Sequence, residues 1–322
     1  MNENILRFPQ DRAFGHLSVG GGRFNWQREA KGEVSVPVGT DVHLFVSEWS
    51  LQDLSWLMTL PPDVITAMRL APATLPCGQL SHITKLKGLR ELQFERVVFE
   101  DEDDLAALQS LPALRHVDFH LSNITDVAIS HVSKCATVDE IGLTYTAVTA
   151  DGLARLSKLP IKKARLGALS VQAEGLAVIG NCTSLEELSL FSTKVNDACL
   201  PDLVRLKNLL SLDLNWTCVS DKGVRYLRWL PLLRKLELEG TKITDLALDT
   251  LRLLPELTFL NLMDTQITAG GMSALSTMKQ LTTLWVTGSP LFYNTEAVVE
   301  LQRRLPDCDV SVNAVVLDLD ED

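Results

Sequence analysis

The chain has 322 residues, of which 46% are apolar and only 6% aromatic, and it carries a formal net charge of −11. That acidity argues against a nucleic-acid backbone or an anionic membrane surface as partner, because both repel it on average. The length accommodates two or three ordinary domains or one long repeat array, with a core that must be aliphatic.

In chain order, Met1 to Gln10 holds Glu3 and Arg7 and lacks the apolar run of a signal peptide. No stretch reaches the roughly 18 apolar residues that a membrane span needs. Residues 14–38 alternate as Leu17/Val19, Phe24/Trp26 and Val34/Val36/Val38, with Gly20-Gly21-Gly22 and Lys31-Gly32 between them. This pattern predicts a β-hairpin cap over residues 1–40. The glycine run is not followed by the Lys-Ser/Thr of a phosphate loop.

From residue 41 one pattern recurs: apolar, two variable, apolar, one variable, apolar. Clear copies begin at Ile65, Leu89, Leu114, Val138, Ile161, Leu185, Leu209, Leu233, Leu257 and Leu281, so successive starts are 24, 25, 24, 23, 24, 24, 24, 24 and 24 residues apart. Degenerate copies begin near Asp41 (with Leu44 and Val46) and at Leu305 (with Cys308 and Val310). A fixed period over so many copies marks a stacked repeat architecture. Within one copy, Leu233-Arg234-Lys235-Leu236-Glu237-Leu238 predicts a short strand with one buried face. Thr241 to Asp245 then turns the chain, with Thr244 as helix N-cap and Asp245 at the positive helix end. Leu248, Leu251 and Leu254 form a one-sided stripe, and Pro255 stops the helix. Thr295 to Arg304 reads as a last helix, Asp309 to Val312 as a closing strand, and 313–322 as an acidic tail.

These motifs resemble the leucine-rich repeat family over roughly residues 41–312. The matching signatures are those of the cysteine-containing (ITDxGL) type: Ile124-Thr125-Asp126, Val195-Asn196-Asp197, Val219-Ser220-Asp221-Lys222-Gly223 and Ile243-Thr244-Asp245. The resemblance implies an α/β solenoid, with a curved parallel sheet on the concave side and helices on the convex side. Where that family places Asn or Cys after the strand, this chain has Thr146, Thr193, Thr217, Thr241 and Thr265. Their hydroxyls would form a ladder to neighbouring backbone.

In this family the variable strand positions of the concave face bind protein partners. Here that surface presents Tyr145, Phe191, Asp213, Asn215, Trp216, Glu237, Glu239, Phe259, Met263 and Trp285, with Asn261 on the same face. Trp216, Phe259, Met263 and Trp285 would form an exposed apolar group interleaved with acids. That arrangement suits a protein partner with basic residues around an apolar anchor. A second surface is the convex pair Trp229 and Leu253, at positions held by polar residues in other repeats, which would associate a structural subunit. A third reading is a metal-dependent or catalytic site around His116, Asp118 and His120. On a strand the two histidines lie about 13 Å apart, too far to share one ion, so a site would need His116 or His120 with Asp118 and with Glu91, Glu95 or Glu140 from across the strands.

Cys135 and Cys182 fall at core positions and Cys199 at a small-residue position, and no C-x-x-C pair occurs. The Glu100 to Asp104 run lacks calcium-loop spacing. Together these features lead us to expect a cytoplasmic, cofactor-free binding protein rather than an enzyme.

Overall fold

A computed structural model describes residues 3–20 and 27–311. Phe24, Trp26 and the acidic tail, on which part of the sequence reading rests, lie outside the described residues. The chain forms two compact units, Met1–Ala164 and Arg165–Asp322.

In the first unit, Gly15–Val19 pairs antiparallel with Gln27–Glu29 on one side and with Val42–Val46 on the other. From Val42–Val46 onward the sheet is parallel, through Ala67–Leu70, Glu91–Phe94, His116–Asp118 and Glu140–Gly142. The valines of Glu33–Pro37 do not join this sheet. They pair antiparallel with Glu3–Arg7, a strand not anticipated from the sequence. Its single buried side chain, Leu6, is too faint a period to read. Phe14 packs its ring 4.9 Å from Trp49 and 5.0 Å from Trp56, so aromatic rings fill this end of the unit. Early repeats return along tight 3-10 helices, Gln79–Lys85 and Glu102–Ser110, and later ones along α-helices, Asp126–Val132 and Ala150–Leu156.

In the second unit, Glu187–Ser189, Ser211–Asp213, Lys235–Glu237, Phe259–Asn261, Thr283–Trp285 and Asp309–Ser311 form parallel neighbours in that order. The pairing is in strict repeat register: Leu212 lies against Leu236, Leu236 against Leu260, and Leu260 against Leu284. Each of these leucines is fully buried, as are Leu248, Leu251 and Leu254 of the helical stripe. One repeat cannot cover its own leucines, so stacking supplies the core. The helix Asp245–Leu251 ends well before Pro255. A 3-10 turn, with the Leu254 N–H on the Leu251 carbonyl at 3.1 Å, carries Leu254 inward instead.

Two side-chain ladders run along the repeats, one between them and one within them. The first is the Thr/Ser–Asp pair of the "ITD" signature. Thr244 caps its own helix, accepting from the Leu246 N–H. Its backbone N–H and hydroxyl both donate to Asp221 of the preceding repeat, at 2.8 Å each. Asp245 receives the same two bonds from Thr268, Asp197 from Ser220, and Asp126 from Thr149. The carboxylate therefore does more than favour a helix end: it ties one repeat to the next by charge-assisted bonds. The second ladder corrects an expectation. The hydroxyls of Thr146, Thr193, Thr217, Thr241 and Thr265 donate to the carbonyl three residues back in their own repeat, at 2.6–2.8 Å. Threonine is too short to reach the neighbouring strand. It pins its own turn.

Candidate functional site

Each repeat sends its third, fifth and seventh residues to the sheet face away from the helices, and its eighth to a rim beyond the strand. The rim position is conformationally special. Arg96, Leu121, Tyr145, Ala168, Ser192, Trp216 and Asp264 all have φ between 51° and 57°, and Gly240 and Gly288 share the column at 64° and 77°. A left-handed conformation is unfavourable for side-chain-bearing residues. The backbone ladder compensates: the Trp216 N–H donates to the Glu239 carbonyl at 2.7 Å, and the Asp264 N–H to the Thr287 carbonyl at 2.9 Å.

This geometry fixes Trp216. Its indole lies over Gly240, where an added Cβ would come within 2.4 Å of the ring, and the residue is still 55% exposed. Phe191 lies in the same manner over Gly167 and is half-buried. Tyr145 is also exposed, in edge contact with the His120 ring at 6.2 Å.

The four-residue apolar group expected from the sequence does not form as one patch. Phe259 and Trp285 meet edge to face at 4.9 Å, the Lys235 ammonium sits 5.1 Å from the Phe259 centroid, and both rings are half-buried. Trp216 stands at the rim, about 10 Å beyond the Trp285 position and about 16 Å beyond that of Phe259 along the strand direction, at ~3.3 Å per residue. Half-buried Met263 occupies the intervening column. Side chains facing the same way from different register positions share a face without touching.

Between these apolar points runs a polar network. Glu237 accepts from Lys235 and from the Asn215 amide, each at 2.8 Å. The Asn215 side-chain oxygen, Oδ1, accepts the Glu239 N–H, and the Asn261 side-chain amide donates to Glu239 at 3.2 Å. Asn261, expected on the surface, is buried at 1% exposure and also caps the Met263 N–H. Asp213 accepts from the Ser189 hydroxyl at 2.7 Å and from the Asn215 N–H at 2.9 Å. Burial nevertheless dominates and pushes its carboxyl up to about 6. The acids of this face are thus oriented by amides rather than left as loose surface charges. Sequence reasoning missed that role for Asn261, although its alternation with Glu237 and Glu239 in neighbouring repeats was visible.

The sheet face of the first unit is built from ion pairs. Arg69 binds Glu95, Gln93 donates to Glu91 at 2.6 Å, and His116 Nδ1 lies 3.3 Å from the same carboxylate. The His116 bond holds the Glu91 carboxyl below the usual range. His116 Nε2 lies 4.0 Å from Asp118, whose carboxylate occupies the space left by Gly142 and accepts the His120 N–H. His120 itself turns toward Tyr145, so the two histidines do not converge. Among the described residues, the metal-type donors that gather within 4.8 Å are instead Cys77, ahead of the 3-10 helix Gln79–Lys85, and Asp101 and Asp104, at the start of the 3-10 helix Glu102–Ser110. On the helix side Trp229 and Leu253 are 53% and 58% exposed, with Arg228 stacked 4.9 Å over the Trp229 ring. Cys135 and Cys182 are buried, which lifts their thiols to about 11, and Cys199 is buried as well. No helix among the described residues is long and apolar enough to cross a membrane.

A family model described as leucine-rich repeat matches residues 205–227 and 255–276. No curated protein matches the chain in sequence. Among solved structures, an internalin of Listeria monocytogenes superposes with a TM-score of 0.60 at 20% identity, covering 82% of this chain and 77% of that one. The mouse RP105/MD-1 complex gives 0.59 at 18% identity, covering 83% of this chain and 47% of the other. The repeat register, the parallel sheet with its helical returns and these superpositions agree: the fold is an α/β leucine-rich repeat solenoid.

Proposed function

We propose that this chain is a protein-interaction scaffold, cytoplasmic and without a cofactor, that binds its partner on the sheet face of the second unit. The observation that carries this reading is Trp216. A large apolar side chain is kept more than half exposed by a strained backbone and a glycine beneath its ring. The left-handed conformation is common to the rim column, and at position 216 it carries a large apolar side chain out to the surface. An exposed tryptophan beside oriented polar groups is the usual make-up of a binding hot spot. The Phe259–Trp285 pair gives a second anchor, and Asp213, Asn215, Glu237 and Glu239 lie between the two. Their chemistry fits a partner that presents Lys or Arg around an apolar side chain. One of the solved neighbours is itself a complex, RP105 with MD-1. The Asp bridges between repeats support placing the chain with the ITDxGL type.

A photo-crosslinking amino acid at position 216, compared with one at position 116, tests the site. A discrete crosslinked product at 216 and none at 116 is expected. Crosslinking confined to 116 overturns the assignment.

A further inference from the structure

The first unit carries a groove of about 600 Å³ that belongs to neither its sheet face nor its helices. It lies at the edge where the chain enters successive strands. The residues immediately preceding Glu91, His116, Glu140 and Lys163 are Arg90, Arg115, Asp139 and Lys162, and all four line it. Backbone bonds lock the first three in step, with the Arg115 N–H on the Arg90 carbonyl at 2.8 Å and the Asp139 N–H on the Arg115 carbonyl at 2.9 Å. Their side chains are therefore pitched at the strand spacing of ~4.8 Å.

The floor is Pro112, Ala113, Ala136 and Pro160. Small side chains here create the hollow. At the position just before the repeat start, where the first unit has Ala113, Thr137 and Pro160, the second carries Ser184, Asn208, Leu232, Glu256 and Gln280. The repeat shortened by one residue also ends at this floor, beside Pro160. The walls bring three cations and one carboxylate together in a chain of net charge −11. Arg115 places two of its five N–H donors on a single oxygen of the buried Asp139, which fixes the guanidinium plane and leaves three donors for another acceptor. Arg90 meets Asp41 only at 3.5 Å, with both side chains half or more exposed.

We infer that this groove binds a small organic anion. A phosphate or carboxylate would take the forks of Arg115 and Arg90 with Lys162 across from them, and an apolar ring or short chain would cover the Pro/Ala floor. The volume lies in the range of ligand pockets, which pair an apolar lining with a few placed polar groups. Planar Arg forks match either headgroup bidentately.

Calorimetric titration of the full chain with 1-naphthyl phosphate and 1-naphthoate tests the inference, with 1-naphthol and inorganic phosphate as controls. Saturable binding of at least one naphthyl anion is expected, at least 10-fold tighter than either control, and the preferred anion identifies the headgroup. Arg90→Gln and Ala113→Leu should each weaken it about 10-fold. These two variants carry the test because they leave the Arg115–Asp139 pair intact. Binding unchanged in both variants overturns the inference. So does inorganic phosphate binding as tightly as the ester, absence of saturable binding, or an acidic peptide binding where no naphthyl anion does.

Discussion

The sheet faces of the two units share one backbone register and differ in what fills it. In the first unit, polar side chains pair with one another: Arg69 with Glu95, the His116 ring with Glu91, and Lys163 3.7 Å from Glu140. In the second, apolar rings stand over a network of amides and carboxylates. An exposed ion pair that already satisfies itself offers a partner little, because it must be broken or desolvated before it is used. A half-exposed ring supported from below offers area that only a partner can bury, at ~25 cal/mol per Å². The same repeat therefore presents paired polar groups in one unit and half-exposed rings in the other through substitutions at its variable columns, and binding is proposed at the latter.

The comparison can be broken in several ways, the largest effect first. Trp216→Ala should weaken partner binding by about 2–3 kcal/mol, on the order of 100-fold, and Phe259→Ala by somewhat less, as read by surface plasmon resonance. Equal losses from His116→Ala would remove the distinction between the faces. Next, the Asp bridges belong to the frame common to both units. Asp126→Ala and Asp221→Ala should each destabilise the chain by about 1–2 kcal/mol in urea unfolding, without altering affinity in the folded state. A large loss of affinity from Asp221→Ala alone would mean that frame and site are not separable.

Asp213 gives a prediction with a sign. Burial pushes its carboxyl up to about 6 in the folded chain, above the ordinary aspartate value of about 3.9, so the folded state holds the proton more tightly. Stability therefore falls as pH rises from about 4 to about 6 and stays lowered above that. Asp213→Asn should raise thermal stability at pH 7.5 by roughly 1 kcal/mol, after allowing for a weakened Ser189 bond, and the gain should vanish at pH 4. A gain independent of pH would contradict the burial cause. The smallest effect is expected from His116→Gln, within about 1 kcal/mol on stability and nothing on binding. Stoichiometric metal lost by this variant would instead revive a metal site on the first face.

The repeat was legible in the sequence because leucine spacing is imposed directly by burial. The starts at Leu209, Leu233 and Leu257 precede strands in register, and the helix Thr295–Arg304 was bounded by its own pattern. The left-handed rim column was not legible. Arg96, Tyr145 and Trp216 carry no signature of that conformation, which a backbone bond to the next repeat imposes. Gly240 and Gly288 in the same column were the available clue. Periodicity also assigned Asn261 to the correct face but not to its depth, since an amide can be buried once its bonds are made. It likewise grouped Trp216 with Phe259 and Trp285, because a map of faces contains no distance along the strand.

The most direct test of the account compares two triple variants in affinity capture from lysate of the source cells. One is Trp216→Ala/Phe259→Ala/Trp285→Ala, and the other is Arg69→Ala/Glu91→Gln/His116→Ala. Both are checked for folding by circular dichroism. The account predicts a protein partner retained by the wild type and by the second variant and lost by the first. Retention by the first variant with loss by the second would place recognition on the ion-paired face and contradict it.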